Sequence, residues 1–399
     1  MKAKQVKKNG CDGWLIIKLG DLAVISRGGS PRPIESYITD DKNGLNWLRI
    51  GDIKLGAKYV YGTSQKIKKE GLSKTTLVES GDFILSNSMS FGRPYIMKIS
   101  ACIHDGWLAL RKIKTDLVSK EFLYYLLSSK KIQNDFVSIS AGSGVQNLKK
   151  DTVSTVAVKI PLVDEQNSIV AVLETWDEAI EKLTKKIEIK KAIKKGLMQE
   201  LLKGKTRLSG FKDKWEVKKL GDVCDIGTGS KNNQDKISNG VYPFYVRSPI
   251  IERINSYSYD GEAILIPGEG NIGKIFHYIN GRFDFHQRVY KISDFKLNVL
   301  GKYLYYYLVK HFSKATKSDS VKATVDSLRL PTFTKFQVQI PALAEQKAIV
   351  EILDVANEEV KKLQKQLTIL KDQKKFLLNN LITGAIRTPE KFSIKTTKR

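Results

Sequence analysis

The chain has 399 residues, which leaves room for two domains that each bury a core. Its formal net charge is +26. Its three cysteines and four histidines are scattered without ligand spacing, so neither a disulfide framework nor a metal site is expected. No apolar run approaches the roughly 20 residues that span a bilayer, and residues 1–13 lack the apolar segment of a signal peptide. We therefore expect a cytoplasmic protein.

The positive charge lies mainly in two segments. The net charge is +9 for residues 14–163 and +6 for 215–340, but only +1 each for 164–206 and 341–386. A polyanionic partner is favoured, because Lys and Arg that neutralise phosphates release counterions. A generally basic protein without such a partner is the alternative. A membrane surface is not favoured, since no basic amphipathic helix or lipidation motif is present.

An internal repeat organises the chain. The phrase WLIIKLGDLAVISRG at Trp14 returns as WEVKKLGDVCDIGTG at Trp215, an offset of 201 residues. The phrase KIPLVDEQNSIVAVL at Lys159 returns as QIPALAEQKAIVEIL at Gln339, an offset of 180. The second copy is therefore about 21 residues shorter than the first.

Two further matches locate the shortening. Arg49 aligns with Arg247 at an offset of 198, and Gly92-Arg93 aligns with Gly273-Lys274 at 181. The loss therefore lies mainly between positions 50 and 80. Because loops vary at little cost to a scaffold, a shared framework with different loops predicts two readers of different ligands.

The repeat predicts an α+β protein with two mixed α/β domains, two long helices and a pseudo-twofold plan. Short β-type runs (GDFILSNSM, RPYIMKI and WLALRKI; YPFYV, EAILIPGEG, KIFHYI and RVYKI) predict mostly antiparallel strands. Aromatic helices follow, EFLYYLL from Glu121 and KYLYYYLV from Lys302. Their tyrosines could stack on bases, but at helical spacing core packing is favoured. The predicted segments are a tail at 1–13, a domain at 14–160, a helical spacer at 161–206, a linker at 207–214, a domain at 215–340, a spacer at 341–386 and a basic tail at 387–399.

Each spacer shows the 4-3 apolar spacing of a coiled-coil seam. The seam residues are Ile169, Leu173, Trp176, Ile180, Leu183 and Ile187, then Ile349, Leu353, Ala356, Val360, Leu363, Leu367, Leu370, Leu377 and Leu381. Lys190 and Lys194 interrupt the first seam, and an apolar series of Ile189, Ile193, Leu197 and Leu201 predicts irregular packing there.

The spacers have recognisable ends and equal lengths. Asp164 can cap the first helix, and Gly204 and Gly384 are natural C-terminal stops. Residues 165–203 and 345–383 are 39 residues each, or about 58 Å as helices. We predict that they pair antiparallel and act as a ruler between two DNA-contacting domains. The alternative is that each helix packs on its own domain.

Glycine-rich turns with polar and basic residues are the candidates for contact with DNA, since Asn and Gln can pair with adenine and Arg or Lys with guanine. The candidates are Ser30, Arg32, Arg49, Ser86, Asn87, Ser88, Arg93, Ser143, Gln146 and Asn147 in the first copy, and Ser230, Lys231, Asn232, Asn233, Arg247, Glu269, Asn271, Lys274, Lys322 and Thr324 in the second. The alternative for each is an ordinary solvated loop residue.

Two motifs imitate cofactor sites. Residues 268–274 read G-x-x-x-x-G-K, but Ile275 and a strand-like run follow in place of Ser or Thr and a helix. Residues 225–230 resemble a methyltransferase glycine motif, yet no Asn-Pro-Pro-Tyr or Asp-Pro-Pro-Tyr motif is present to hold a flipped base. We predict no catalytic constellation and no cofactor bound by this chain.

The arrangement resembles the DNA-specificity subunits of Type I restriction-modification systems over nearly the whole chain. The marks are the W-x4-L-G-D openings at Trp14 and Trp215, the I-P-x3-E-Q phrases at Ile160 and Ile340, and the L-x-x-G exits at Leu201 and Leu381. The resemblance implies two target-recognition domains, each reading half of a split asymmetric site in double-stranded DNA, and an antiparallel coiled coil between them.

The resemblance also implies partners. A non-catalytic subunit of this family docks two adenine-N6 methyltransferase subunits that use S-adenosylmethionine, and two motor-nuclease subunits that use ATP and Mg²⁺ complete the restriction complex. The basic tail outside the repeat would touch phosphate or stay solvated. The alternative function is a nucleic-acid-binding coiled-coil scaffold that is not linked to methylation.

Overall fold

The computed structural model describes residues 13–54, 56–87, 91–140, 147–204, 207–270, 272–296, 298–319 and 327–389. The chain divides into two compact units. Unit 1 is Met1–Lys182 with Leu367–Arg399, and unit 2 is Leu183–Gln366. Each unit therefore combines one globular domain with part of each long helix.

Unit 1 contains most of the short strands. Its elements are β1 (Leu15–Lys18), α1 (Leu19–Leu22), β2 (Val24–Arg27), β3 (Ile38–Thr39), β4 (Leu45–Leu48), β5 (Tyr59–Val60), β6 (Gln65–Ile67), β7 (Thr76–Val78), β8 (Phe83–Ser86), β9 (Pro94–Met97), β10 (Ala101–Ile103), β11 (Trp107–Arg111), α2 (Lys120–Ser128), α3 (Lys130–Ser140), α4 (Lys150–Thr155), β12 (Ala157–Ile160) and the start of α5 (Val163–Leu201). They form two five-stranded sheets, β3-β6-β4-β10-β7 and β2-β11-β8-β9-β5, and the pair β1-β12. The described pairings are antiparallel except β4-β10 and β5-β9.

In unit 2 the corresponding strands form one six-stranded sheet. Its elements are β13 (Glu216–Lys219), β14 (Asp225–Thr228), β15 (Tyr242–Tyr245), β16 (Ile251–Ile254), β17 (Tyr259–Pro267), β18 (His277–Phe285), β19 (Val289–Ser293), α6 (Gly301–Asp319), α7 (Leu330–Thr334), β20 (Gln337–Ile340) and most of α8 (Leu343–Thr383). The sheet order is β14-β19-β17-β18-β15-β16, beside the pair β13-β20. The mixed α/β domains with mostly antiparallel strands are confirmed.

Strand register corrects the internal alignment by one residue. The His104 N–H donates to the Leu48 carbonyl (3.2 Å), and the His286 N–H donates to the Tyr245 carbonyl (2.9 Å). Leu48 therefore corresponds to Tyr245, so the alignment of Arg49 with Arg247 was wrong. By this register Arg49 corresponds to Val246, so matching the two arginines shifts the alignment by one residue.

The extra residues of the first copy lie where the sequence indicated, between positions 50 and 80. They include β5, which pairs with β9, and a six-residue 3-10 turn at Lys69–Lys74. In unit 2 the long strand β18 runs beside both β17 and β15, a role that β9 and β10 share in unit 1.

The aromatic helices α2 and α6 pack into the cores of their units. Tyr125, Tyr303 and Tyr306 are at most 2% exposed. Their hydroxyls bind protein acceptors: Tyr125 donates to Asp177 at 2.6 Å and Tyr303 to the Gln339 carbonyl at 2.8 Å. Tyr306 donates to Asp354 of α8 at 2.5 Å. Tyr125 and Tyr306 therefore link their domains to the long helices, whereas Tyr303 bonds to a strand of its own domain. None of these three buried tyrosines is accessible for base stacking.

The helices α5 and α8 pair antiparallel within each unit. In unit 1, Ile169 and Leu173 share a core with Leu381, and Asp177 binds Lys374. In unit 2, Leu201 shares a core with Ile349, Val350 and Leu353. The predicted seam residues are buried or half-buried throughout. The antiparallel coiled coil is confirmed.

Two details of the prediction for the first spacer are wrong, one about Ile189 and Ile193 and the other about Lys190 and Lys194. Ile189 and Ile193 do not continue the seam, because they are 59% and 48% exposed. Instead Lys190 and Lys194 lie toward α8, where Lys190 pairs with Glu359 (2.8 Å) and Lys194 donates to Asn357 (2.6 Å). Lysine can occupy a seam because its stem is apolar while its ammonium group reaches an acceptor.

The helix ends also differ slightly from the prediction. Asp164 lies in the first turn of α5 and not at its cap, since α5 begins at Val163. Gly204 and Gly384 follow the helices with φ of +67° and +74°, a conformation that favours glycine and redirects the chain. The predicted stops are therefore confirmed.

Candidate nucleic-acid interface

In unit 1 the turn between β10 and β11 gathers polar side chains from three loops. The Asp105 carbonyl accepts hydrogen bonds from Asn87 Nδ2 (2.9 Å) and Arg27 Nε (3.2 Å). The Asp105 carboxylate accepts one from Ser30 Oγ (3.1 Å) and lies 3.7 Å from Arg32. We call these five residues the first polar cluster.

The members of the first polar cluster differ in what they can offer a ligand. The Arg32 side chain is 83% exposed, and its long contact with Asp105 is a weak surface pair that leaves the guanidinium accessible. Asn87 is 3% exposed and Ser86 is fully buried. Ser86 Oγ accepts the Arg93 N–H (3.2 Å). Asn87 and Ser86 therefore hold the loops, while Arg32 faces outward.

A cavity of about 580 Å³ adjoins the first polar cluster. Arg27, Asn87 and Asn147 line it together with Lys149 and Lys150. Two lysines, an arginine and two amides around one concave surface form a site suited to phosphate and base edges. The structure thus brings the predicted residues Asn87 and Asn147 together.

The other predicted residues of unit 1 lie apart from this cavity or outside the described residues. Arg49 donates to Ser64 Oγ at 2.8 Å and lies 3.8 Å from Asp52, with its side chain 45% exposed. Ser88, Ser143 and Gln146 lie outside the described residues.

In unit 2 the corresponding turn, between β18 and β19, organises a second polar cluster. The Gln287 N–H donates to the Lys231 carbonyl (2.9 Å), and Gln287 Nε2 donates to Asn232 Oδ1 (2.6 Å). Glu269 lies between two arginines, 3.1 Å from Arg247 and 3.4 Å from Arg288. We define the second polar cluster as Lys231, Asn232, Arg247, Glu269, Gln287 and Arg288.

The two turns share a histidine with the same role. His104 Nδ1 accepts the Gly106 N–H, and His286 Nδ1 accepts the Arg288 N–H, both at 2.9 Å. Burial, and then the charge of Arg247, lower the pKa of His286. At neutral pH this imidazole is therefore uncharged and fixes the backbone turn, so the positive charge of the cluster comes from its arginines and lysine.

The remaining candidates of unit 2 are either exposed or outside the described residues. Ser230, Asn233 and Lys274 are exposed. Asn271, Lys322 and Thr324 lie outside the described residues. Sequence reasoning missed Arg27, Asp105, Gln287 and Arg288. Extending the repeat alignment to the pair His104 and His286, at an offset of 182, would have located both turns.

The described residues contain no group of three or more His, Cys, Asp or Glu that could hold a metal ion. In the part of the chain that the structure describes, no helix is long and apolar enough to cross a membrane.

Two basic domains joined to an antiparallel helix pair, with a polar cluster at the same turn of each domain, define a two-domain nucleic-acid-recognition protein. The family model for the Type I restriction modification DNA specificity domain matches residues 11–191 and 212–371. The chain belongs to this family. It is a specificity subunit, the DNA-recognising and non-catalytic part of a Type I restriction-modification complex.

Two relatives and a solved structure are similar to this chain over 94% of its length. The Type I restriction enzyme MjaVIII specificity subunit of Methanocaldococcus jannaschii is 24% identical over 94% of this chain and 93% of its own. The MjaIX specificity subunit of the same organism is 25% identical over 94% of each chain. The crystal structure of a Type I restriction-modification S subunit from M. genitalium is 16% identical, covers 94% of this chain and 98% of its own, and has a TM-score of 0.60, so it supports the fold.

Proposed function

We propose that the two domains, residues 14–160 and 215–340, each read one half of a bipartite asymmetric site in double-stranded DNA. The supporting observation is the different polar cluster that each domain builds on the same turn. The first combines Arg32, Ser30 and Asp105, whereas the second sets Glu269 between Arg247 and Arg288. Different donors and acceptors on one framework suit two different half-sites.

Within this proposal the exposed arginines read bases and the lysines fix register on phosphate. Arg32 and Arg288 can donate to guanine, and Glu269 can accept from the cytosine amino group. Lys149, Lys150 and Lys274 would bind phosphates. The helix pair would set the distance between the half-sites, in keeping with its length of about 58 Å.

Exchange of one domain tests the modular part of the proposal. Replacing residues 14–160 by the equivalent domain of another family member should change one half of the methylated motif and leave the other half unaltered, because each domain has its own core. The measurement is a modified-base map of host DNA carrying either version. A motif altered in both halves would reject independent reading.

The proposed partners are two adenine-N6 methyltransferase subunits carrying S-adenosylmethionine, and two motor-nuclease subunits using ATP and Mg²⁺. Exposed apolar residues on the helices support two copies of one partner. Ile189 and Ile369 stand at equivalent repeat positions, 180 residues apart, and are 59% and 47% exposed. Single exposed residues are common, but an equivalent pair on a helix spine suits two equal docking sites.

We expect Ile189→Asp and Ile369→Asp each to reduce the bound methyltransferase from two copies to one, and the double variant to bind none. A charge placed in an apolar contact is costly to desolvate. Native mass spectrometry of the co-expressed complex measures the stoichiometry, with the exposed Asp372→Asn as control. Two copies retained by both single variants would place docking elsewhere. Purification with RNA and no methyltransferase would favour the scaffold alternative.

A further inference from the structure

The glutamate of each I-P-x3-E-Q phrase binds an arginine that the repeat alignment did not include. In unit 2, Arg207 Nε and Nη2 donate to the two carboxylate oxygens of Glu345 at 2.7 and 2.6 Å. Trp215 Nε1 donates to the same carboxylate at 3.0 Å. Glu345 is 1% exposed. We call these residues the second Arg–Glu–Trp cluster.

Unit 1 repeats this arrangement with residues from both ends of the sequence. Arg387 Nε and Nη2 donate to Glu165 at 2.5 and 2.8 Å, and Trp14 Nε1 donates to it at 3.2 Å. These residues form the first Arg–Glu–Trp cluster. In both clusters the guanidinium also lies over the indole ring, at 5.6 Å from Trp14 and 5.5 Å from Trp215. The expectation that the tail from 387 contacts phosphate or stays solvated is therefore wrong for Arg387.

The arginines occupy equivalent places after the two long helices. Arg207 stands three residues after Gly204, and Arg387 three residues after Gly384. Each glycine turns the chain through a positive φ. The Gly204 backbone also packs against the Trp215 ring, where a Cβ would lie 3.1 Å from the indole. The segment that follows each helix therefore brings an arginine into contact with a buried or half-buried glutamate.

Each cluster joins three parts of its unit. The glutamate lies in the first turns of one long helix, and the arginine follows the end of the other. The tryptophan immediately precedes the first strand of the domain, β1 or β13. That strand pairs with β12 or β20, which leads directly into the helix. A bidentate pair has a defined angle, so it restrains the domain relative to the helix pair.

We propose that Arg207 and Arg387 are positioning residues that fix the orientation of the second and first recognition domains on the helix pair, and so set the permitted spacing of the half-sites. The assignment is crossed, because an arginine near the C-terminus positions the N-terminal domain. The inference rests on the proposed function, since it assumes a two-part DNA site.

The test uses the full complex with its methyltransferase. Methylation rates are measured on DNA with fixed half-sites and an intervening sequence changed by one or two base pairs. The wild type should prefer one length. Arg387→Gln should reduce that preference at least tenfold, while base preferences within each half-site stay unchanged. Arg387→Lys, which keeps the charge but loses the bidentate geometry, should be intermediate. Arg207→Gln should have the same effect through the second domain.

Controls separate positioning from general damage. Lys159→Gln and Lys347→Gln remove an exposed charge next to each cluster and should keep the spacing preference. Arg387→Gln should raise amide exchange in β1 and β12 only, and Arg207→Gln in β13 and β20 only. Arg387→Gln combined with Glu165→Gln should be no worse than either single variant. If Arg387→Gln does not fold, Arg387→Lys provides the same comparison.

The outcomes are distinguishable. An unchanged spacing preference in both Arg387→Gln and Arg387→Lys would overturn the positioning role. Equal exchange changes in both domains would overturn the crossed assignment. A wild-type complex that methylates all spacings alike would refute the proposed function itself.

Discussion

Replacing Gln346 with leucine is expected to lower the free energy of unfolding by about 3 kcal/mol, because it removes a fully buried hydrogen-bonding group without changing much volume. Gln346 Oε1 accepts the Leu300 N–H (2.8 Å). Its Nε2 donates to the Asn298 and Pro341 carbonyls, both at 2.8 Å. Leucine would leave one N–H and two carbonyls without partners, and each such group costs roughly 1–3 kcal/mol when buried.

Denaturant unfolding of the purified chain measures this effect. Gln373→Leu is the matched control, because Gln373 lies exposed on the same helix and should change stability by less than about 0.5 kcal/mol. Gln166, which makes the equivalent bonds to Ser119, Leu117 and Pro161, should respond like Gln346. A Gln346→Leu chain as stable as the control would show that these bonds contribute little.

The glutamine also explains why the repeated phrase ends as it does. Glutamate and glutamine are adjacent at the start of each helix, so their side chains point in different directions. The glutamate receives the arginine and the tryptophan, while the glutamine binds the segment that leads into α2 or α6. One dipeptide therefore attaches the helix both to its domain and to the end of the other helix.

The features that the sequence predicted are those encoded by local periodicity. The seam from Ile169 and the aromatic helix from Lys302 could be recognised because burial repeats at helical spacing. The strands around Phe83 and Ala263 formed continuous apolar runs, which match their burial on both faces. The offset between copies located β5 and its neighbouring turn because an insertion changes the alignment even without a motif.

The features that it did not predict depend on a distant partner. Arg207 meets Glu345 across 138 positions and Arg387 meets Glu165 across 222. In sequence both arginines look like ordinary residues of a basic linker and tail. The prediction that Ile189 continues the seam is wrong for a related reason. Apolar spacing does not reveal which face of a helix contacts the partner helix, and here Lys190 and Lys194 have acceptors on α8.

The residues of the two polar clusters could be predicted from the sequence only in part. Ser30 and Lys231 could be found because they follow the repeated glycine turns near Gly28 and Gly229. Asp105 and Arg288 could not, because they lie on a later turn that becomes their neighbour only through strand pairing. Gly28 and Gly229 form part of this contact, since each lies against the backbone of the later turn.

Gly28→Ala and Gly229→Ala should therefore each strongly weaken the reading of one half-site. A Cβ on Gly28 would lie 2.2 Å from the His104 carbonyl oxygen, and one on Gly229 would lie 2.0 Å from the Phe285 carbonyl oxygen. Backbone atoms cannot move aside as a flexible side chain can, so the turn carrying Asp105 or Arg288 must shift. Overpacking of this kind costs about 1–3 kcal/mol, and a displaced base contact costs a similar amount in discrimination.

Methylation of DNA in which one half-site is intact and the other is varied measures the loss separately for each domain. Gly28→Ala should lose discrimination at the half-site of the first domain by about 100-fold and keep the other half, and Gly229→Ala should show the reverse. Gly51→Ala and Gly227→Ala are matched controls, because a Cβ at either position meets no atom within 4 Å. A uniform loss over both half-sites would instead indicate that the two domains do not read independently, since each altered turn lies within one unit.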